Sequence, residues 1–127
     1  MTFHWPDYLA LAKSLIDTQL ILPTSDEARQ RAAISRAYYA AFCTTRNYLR
    51  QQLNNSRLFS DAKAHYNVRK ALMNKNSKTA HQIAKLLLAV HRERKCADYD
   101  DNYAATKNIL IVIQQVQLIL NLLKQNP

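Results

Sequence analysis

The chain contains no glycine. Average usage is about 7%, so about nine would be expected at this length. Tight β-hairpins usually call for Asn-Gly or Asp-Gly, and neither is available. Glycine-built phosphate loops of the P-loop or dinucleotide type are excluded as well. Turns that need a positive φ fall to Asn or Asp. Proline is scarce too: Pro6, Pro23 and Pro127 all lie outside the strongly periodic stretches.

Cysteine is limited to Cys43 and Cys96, far apart and without framework spacing. The N-terminal MTFHWPDYLALAK has no basic start and meets Asp7 early, so it does not read as a signal peptide. No apolar run reaches the ~18 residues of a transmembrane helix. A cytoplasmic protein in a reducing compartment, without membrane contact, is the expectation.

Acids are also few. Nine Asp and Glu face 18 Lys and Arg, for a net charge of +9. The excess is concentrated in residues 57–95, with ten basic residues against two acidic ones. Such a segment fits an anionic partner, most simply RNA or DNA. A solvated surface tuned for solubility is the plain alternative.

What remains is rich in helix formers and 48% hydrophobic, enough for one core in 127 residues. The reading is all-α: a single domain over residues 1–127, an up-and-down bundle of about five helices. A first helix is expected from Pro6 to Leu22, with Leu9, Ala12, Leu15, Ile16 and Leu20 as its apolar stripe. Thr24 with Glu27 reads as a capping box for a long second helix ending near Leu53. That helix is apolar nearly all round between Ala32 and Cys43, the mark of a central element. Asn54-Asn55-Ser56 would end it, with Asn in the role of glycine. A third helix is expected over Ser60–Met73, with Ser60 as a cap. A fourth, capped by Ser77 or Thr79, runs to about Arg92. The run RERKCADYDDNY reads as a polar break, and a fifth helix follows over Asp101–Lys124. Its wide apolar face belongs to the core or in part to a second subunit.

The stretch SRAYYAAFCTT, residues 35–45, places the charged Arg36 inside the apolar helix. A buried Arg needs a carboxylate or several acceptors. Asp98, in the other unusual segment, is the expected partner. Ser35 has no nucleophile elbow around it and is expected to bond back to its own helix. The charge switch from Arg94-Lys95 to Asp98-Tyr99-Asp100 has a plain reading as helix termination. Its functional reading is a phosphate fork from Arg94 and a stacking ring from Tyr99. The histidines are His4, His65, His81 and His91, and they lack the convergent spacing of a metal site. His65, between Lys63 and Tyr66, is a candidate general acid or base on RNA. Paired carboxylates for glycoside chemistry are not apparent.

SRAYYAAF in a long second helix, then Lys63-Ala64-His65, then Arg94-x-x-Ala97-Asp98-Tyr99-Asp100, resembles the HEPN family (higher eukaryotes and prokaryotes nucleotide-binding domains). The likeness runs from about Trp5 to Tyr103, closest to small prokaryotic members. It implies a helical bundle that usually dimerises. It further implies RNA or nucleotide binding in a toxin–antitoxin or defence module, in some members with metal-independent ribonuclease activity. A small nucleotidyltransferase serving as antitoxin is an implied partner, and no cofactor is implied. Ribonuclease members carry an Arg followed four to six residues later by His. Here none of the nine arginines is followed in that way. In the resemblance Arg94 stands where the catalytic Arg belongs, and His65 is expected as a substitute acid–base group from another helix. Arg36, Tyr39 and Asp98 are expected to form a buried polar cluster that anchors the segment holding Arg94. Lys63, Arg69, Arg94, Lys95 and Tyr99 are the candidate nucleic-acid contacts. The other reading is a non-catalytic module that docks a nucleotidyltransferase-like partner through the fifth helix.

Overall fold

The computed structural model describes residues 2–19 and 21–127. The described residues form five helices and no strand: α1 (Asp7–Leu15), α2 (Asp26–Gln52), α3 (Ala64–Met73), α4 (Lys78–Tyr99) and α5 (Ala105–Leu123). α2 is the central element and packs on all four others. Its apolar girdle explains this, because Ala33, Ile34, Ala37, Tyr38, Ala40, Ala41, Phe42 and Cys43 are all buried. Alanines at these positions let neighbouring backbones approach closely, and Tyr38 and Phe42 fill the space between them.

α1 is shorter than its stripe implies. Ser14 Oγ bonds back to the Ala10 carbonyl, and Asp17 Oδ1 accepts from the Gln19 amide, so local side chains compete with the helical ladder. Leu20, expected on that stripe, lies outside the described residues. α2 is capped one residue later than the capping box predicts. Ser25 Oγ accepts from the Ala28 amide at 3.1 Å, and Glu27 pairs forward with Arg31. At the other end Asn54 adopts φ 51°, as the absence of glycine requires. The Asn55 amide bonds to the Arg50 carbonyl and the Asn54 amide to that of Gln51, a Schellman closure.

α3 starts at Ala64, four residues after the expected Ser60 cap. Ser60 is engaged elsewhere: Arg50 donates through Nε to the Leu58 carbonyl and through Nη2 to Ser60 Oγ. This fork ties the 53–63 connection to α2. Phe59 within it sits at φ 61°, an uncommon conformation for a bulky residue.

α4 is capped by Ser77, whose Oγ accepts from the Ala80 amide. It does not stop at Arg92 but continues to Tyr99, so most of the expected polar break is helical. The segment holds no breaker, Ala97 is buried, and Arg94 pairs with Asp98 one turn on. The true connection is Asp100–Ala104. Arg31 of α2 organises it, donating to the carbonyls of Ala97, Asp100, Asp101 and Tyr103 at 2.7–3.4 Å. One guanidinium thereby satisfies carbonyls that the end of α4 leaves open.

α5 is long and apolar enough to cross a membrane by length and composition alone. Gln and Asn nevertheless interrupt its apolar runs. Nine of its residues, including Ile109, Val112, Val116 and Ile119, are buried in the bundle. On its other side Leu110, Ile111 and Leu118 are exposed.

Candidate functional site

The chemistry-bearing residues gather around Tyr38, where α2, α3 and α4 meet. Tyr38 is buried, and burial raises its hydroxyl well above the ordinary phenol range. The hydroxyl lies 2.5 Å from His65 Nδ1, on the first turn of α3. The His65 ring is held between Phe42 and His91, with centroids at 4.2 and 4.7 Å and near-parallel planes. His91 comes from α4 and also stacks on Tyr38, at 5.1 Å.

Two guanidiniums border this stack. Arg69, one turn beyond His65 on α3, places Nη1 3.1 Å from His91 Nδ1. Arg94 lies over Tyr38 at 5.6 Å and over Tyr39 at 5.4 Å. Its side chain is only 11% exposed, and its Nε is buried with no hydrogen-bond partner among the described residues. The nearest carboxylate is Asp98, whose Oδ2 meets Arg94 Nη1 at 3.3 Å.

The proton arrangement follows from these contacts. A guanidinium can only donate, so His91 Nδ1 is the acceptor and a neutral His91 carries its proton on Nε2. His65 differs, because the Tyr38 hydroxyl can either donate or accept. Both imidazoles resist protonation. Burial is the first cause for each; Arg94 and Arg69 add to it at His65. At His91 the further causes are His65, Arg69, Arg94 and Lys95, and its pKa falls to about 4. The cluster therefore offers guanidinium and imidazole N–H donors with one acid beside them, a composition suited to an anion with several oxygens.

Arg36 is not the partner of Asp98. Its guanidinium lies over the rings of Tyr8 (4.9 Å) and Tyr39 (5.2 Å), and Nη2 reaches Ser35 Oγ at 3.4 Å. The two tyrosines supply cation–π contacts in place of a carboxylate. Ser35 does not bond back to its helix either. Its hydroxyl donates to Asp98 Oδ2 at 3.4 Å, so Ser35 bridges Arg36 to Asp98. Nor does Arg36 anchor the segment around Asp98, since Arg31 holds those carbonyls.

Of the sequence candidates, Arg69, Arg94 and His65 come together, with Tyr39 and Asp98 at the edge. Lys63 and Lys95 are exposed. Tyr99, at the end of α4, is 79% exposed and pairs with no other ring among the described residues. Sequence reasoning missed His91 and Tyr38. The available signal was His91 one turn before Lys95 on the helix that carries Arg94. Among the described residues, no group of three or more His, Cys, Asp or Glu is placed to hold a metal ion. Compared with family models, curated proteins and solved structures, the chain matches none.

Proposed function

We propose that this chain is a HEPN-like protein that binds RNA or a nucleotide, with phosphate held between Arg69 and Arg94. One observation carries the reading: two guanidiniums and two imidazoles from α3 and α4 converge on Tyr38 of α2, and among the described residues Asp98 is the one carboxylate paired to them, through Arg94. Arg69 and Arg94 together make the potential at these rings positive enough to oppose their protonation, and a bound phosphate would offset it. The HEPN resemblance adds a homodimer and a place in a toxin–antitoxin or defence module to the proposal.

A second reading, metal-independent RNA cleavage, is favoured by the freedom of His65. If His65 Nδ1 donates to Tyr38, its Nε2 becomes a base able to take a 2′-hydroxyl proton. The 2′-oxygen would then attack phosphorus as the P–O5′ bond breaks, and solvent would protonate the leaving oxygen. His91 cannot fill that role while Arg69 donates to it. A third reading, docking of a nucleotidyltransferase-like partner, draws on the exposed Leu110, Ile111 and Leu118 of α5.

The test is RNA binding over a salt series, with cleavage assayed in EDTA. Binding that weakens with salt, with a slope reduced by roughly 0.7 in Arg69→Ala or Arg94→Ala, supports the phosphate site. Cleavage abolished by His65→Ala makes the protein a ribonuclease. Salt-insensitive binding, or none, removes the RNA reading.

A further inference from the structure

Beside the cluster, between α3 and α4, runs a groove of about 450 Å³. That is within the range of small-ligand sites. Its apolar walls include Met73 and Leu88, and Tyr66 stands at its edge with 57% of its surface exposed. Arg69, Lys70 and Lys85 also line it, and no acid does. Arg69 is the same residue that donates to His91, so this one side chain belongs to both groove and cluster.

We propose that this groove receives an unstacked base of single-stranded RNA, next to the phosphate held at the cluster. The base would stack on Tyr66 and lie along Met73 and Leu88. Lys70 and Lys85 would meet the phosphates on either side. The charge pattern selects the occupant: three cations and no acid around an apolar floor suit a flat apolar ring joined to anions. A protein partner would need acids placed around an apolar side chain to match the same cations, whereas a nucleotide carries its flat ring and its anions in one unit. Duplex RNA keeps its bases stacked inside an A-form helix, so it cannot offer one to the groove. Single-stranded sites of this kind combine a basic track with aromatic stacking platforms. The inference rests on the phosphate-site reading and adds the strandedness of the substrate and the residue that reads it.

The experiment is fluorescence anisotropy with a fluorescein-labelled twelve-nucleotide RNA of mixed sequence. It is used alone, annealed to its complement, and with abasic sugars at its centre. Wild type is compared with Tyr66→Ala, Tyr66→Phe, the double variant Lys70→Ala/Lys85→Ala, and Arg94→Ala. Tyr66 is exposed, and thermal melts confirm that each variant is folded. Expected are preference for the single strand and a loss of about five-fold or more in Tyr66→Ala. Tyr66→Phe should retain affinity, and the abasic RNA should not distinguish wild type from Tyr66→Ala. RNA binding that Arg94→Ala weakens but Tyr66→Ala leaves unchanged, with duplex held equally well, overturns the groove alone. No RNA binding by wild type overturns the groove and the phosphate site together.

Discussion

The imidazole rings of His65 and His91 lie parallel within 7°, their centroids 4.7 Å apart, although they come from different helices. Protonating either places a positive charge against its neighbour and against Arg69 and Arg94. Lys95 adds to this at His91, and Tyr38 packs against both rings without a charge of its own. Burial, which disfavours the charged ring, is the larger cause, and the two effects together hold both pKa values below the unfolded value near 6.5. The unfolded chain then binds more protons than the folded one as pH falls below 6.5. The stability contribution is complete above 6.5 and is lost as pH drops toward 4. Thermal melts from pH 7.5 to 4.5 should show Tm falling through this window, and His91→Asn should flatten the fall. Parallel curves for the two proteins would contradict the stacking account.

Asp98 is the carboxylate that pairs with Arg94, and it also accepts from Ser35. Removing its charge should free the guanidinium for a ligand. Asp98→Asn is expected to raise affinity for single-stranded RNA several-fold at low salt, with the gain shrinking as salt is added. Thermal stability should fall, because Arg94 is left nearly buried without its counter-charge. A binding titration in which Asp98→Asn weakens RNA at every salt concentration would show that Asp98 serves the ligand itself.

Arg31 offers a test independent of function. Its guanidinium serves four carbonyls around the Asp100–Ala104 connection. Arg31→Ala should lower Tm by roughly 5–12 °C, since hydrogen bonds to a charged group contribute about 1.5–3 kcal/mol. Arg31→Lys should recover only part of this, because an ammonium lacks the planar fork. A Tm within a degree of wild type for Arg31→Ala would mean that the connection holds itself.

Which residue caps α2 can be decided by a pair of substitutions. Ser25→Ala should cost about 1 kcal/mol in a denaturant melt, and Thr24→Ala close to nothing. The reverse order would restore the capping box that the sequence suggests.

That Ser25 rather than Thr24 caps α2 marks how far the chain can be read. The apolar period marks five helices and the central place of α2, because burial follows directly from spacing. Glycine's absence marks Asn54 as a left-handed closure. Boundaries are less legible, since Thr24 and Ser25 are adjacent and chemically alike and only backbone geometry separates them. The end of α4 misled for another reason. A charge-rich run looks like a loop until Arg94 is seen reaching Asp98 and Arg31 is seen holding the turn beyond. The candidate site is half legible. Arg69, Arg94 and His65 could be named from charge and motif, but His91 meets Arg69 only through the packing of α3 on α4. The surroundings of Arg36 are not legible in the sequence, because two tyrosine rings from α1 and α2 serve where a guanidinium inside an apolar helix calls for an acid.

Every group at the cluster stands on a helix: Tyr38 on α2, His65 and Arg69 on α3, His91 and Arg94 on α4. Ring stacking and hydrogen bonds further limit the rotamers of these side chains. An anion that docks there meets donors already oriented, so little side-chain motion remains to be lost on binding. Calorimetry should then show association with a small unfavourable conformational entropy, and with enthalpy dominated by the charge-assisted hydrogen bonds.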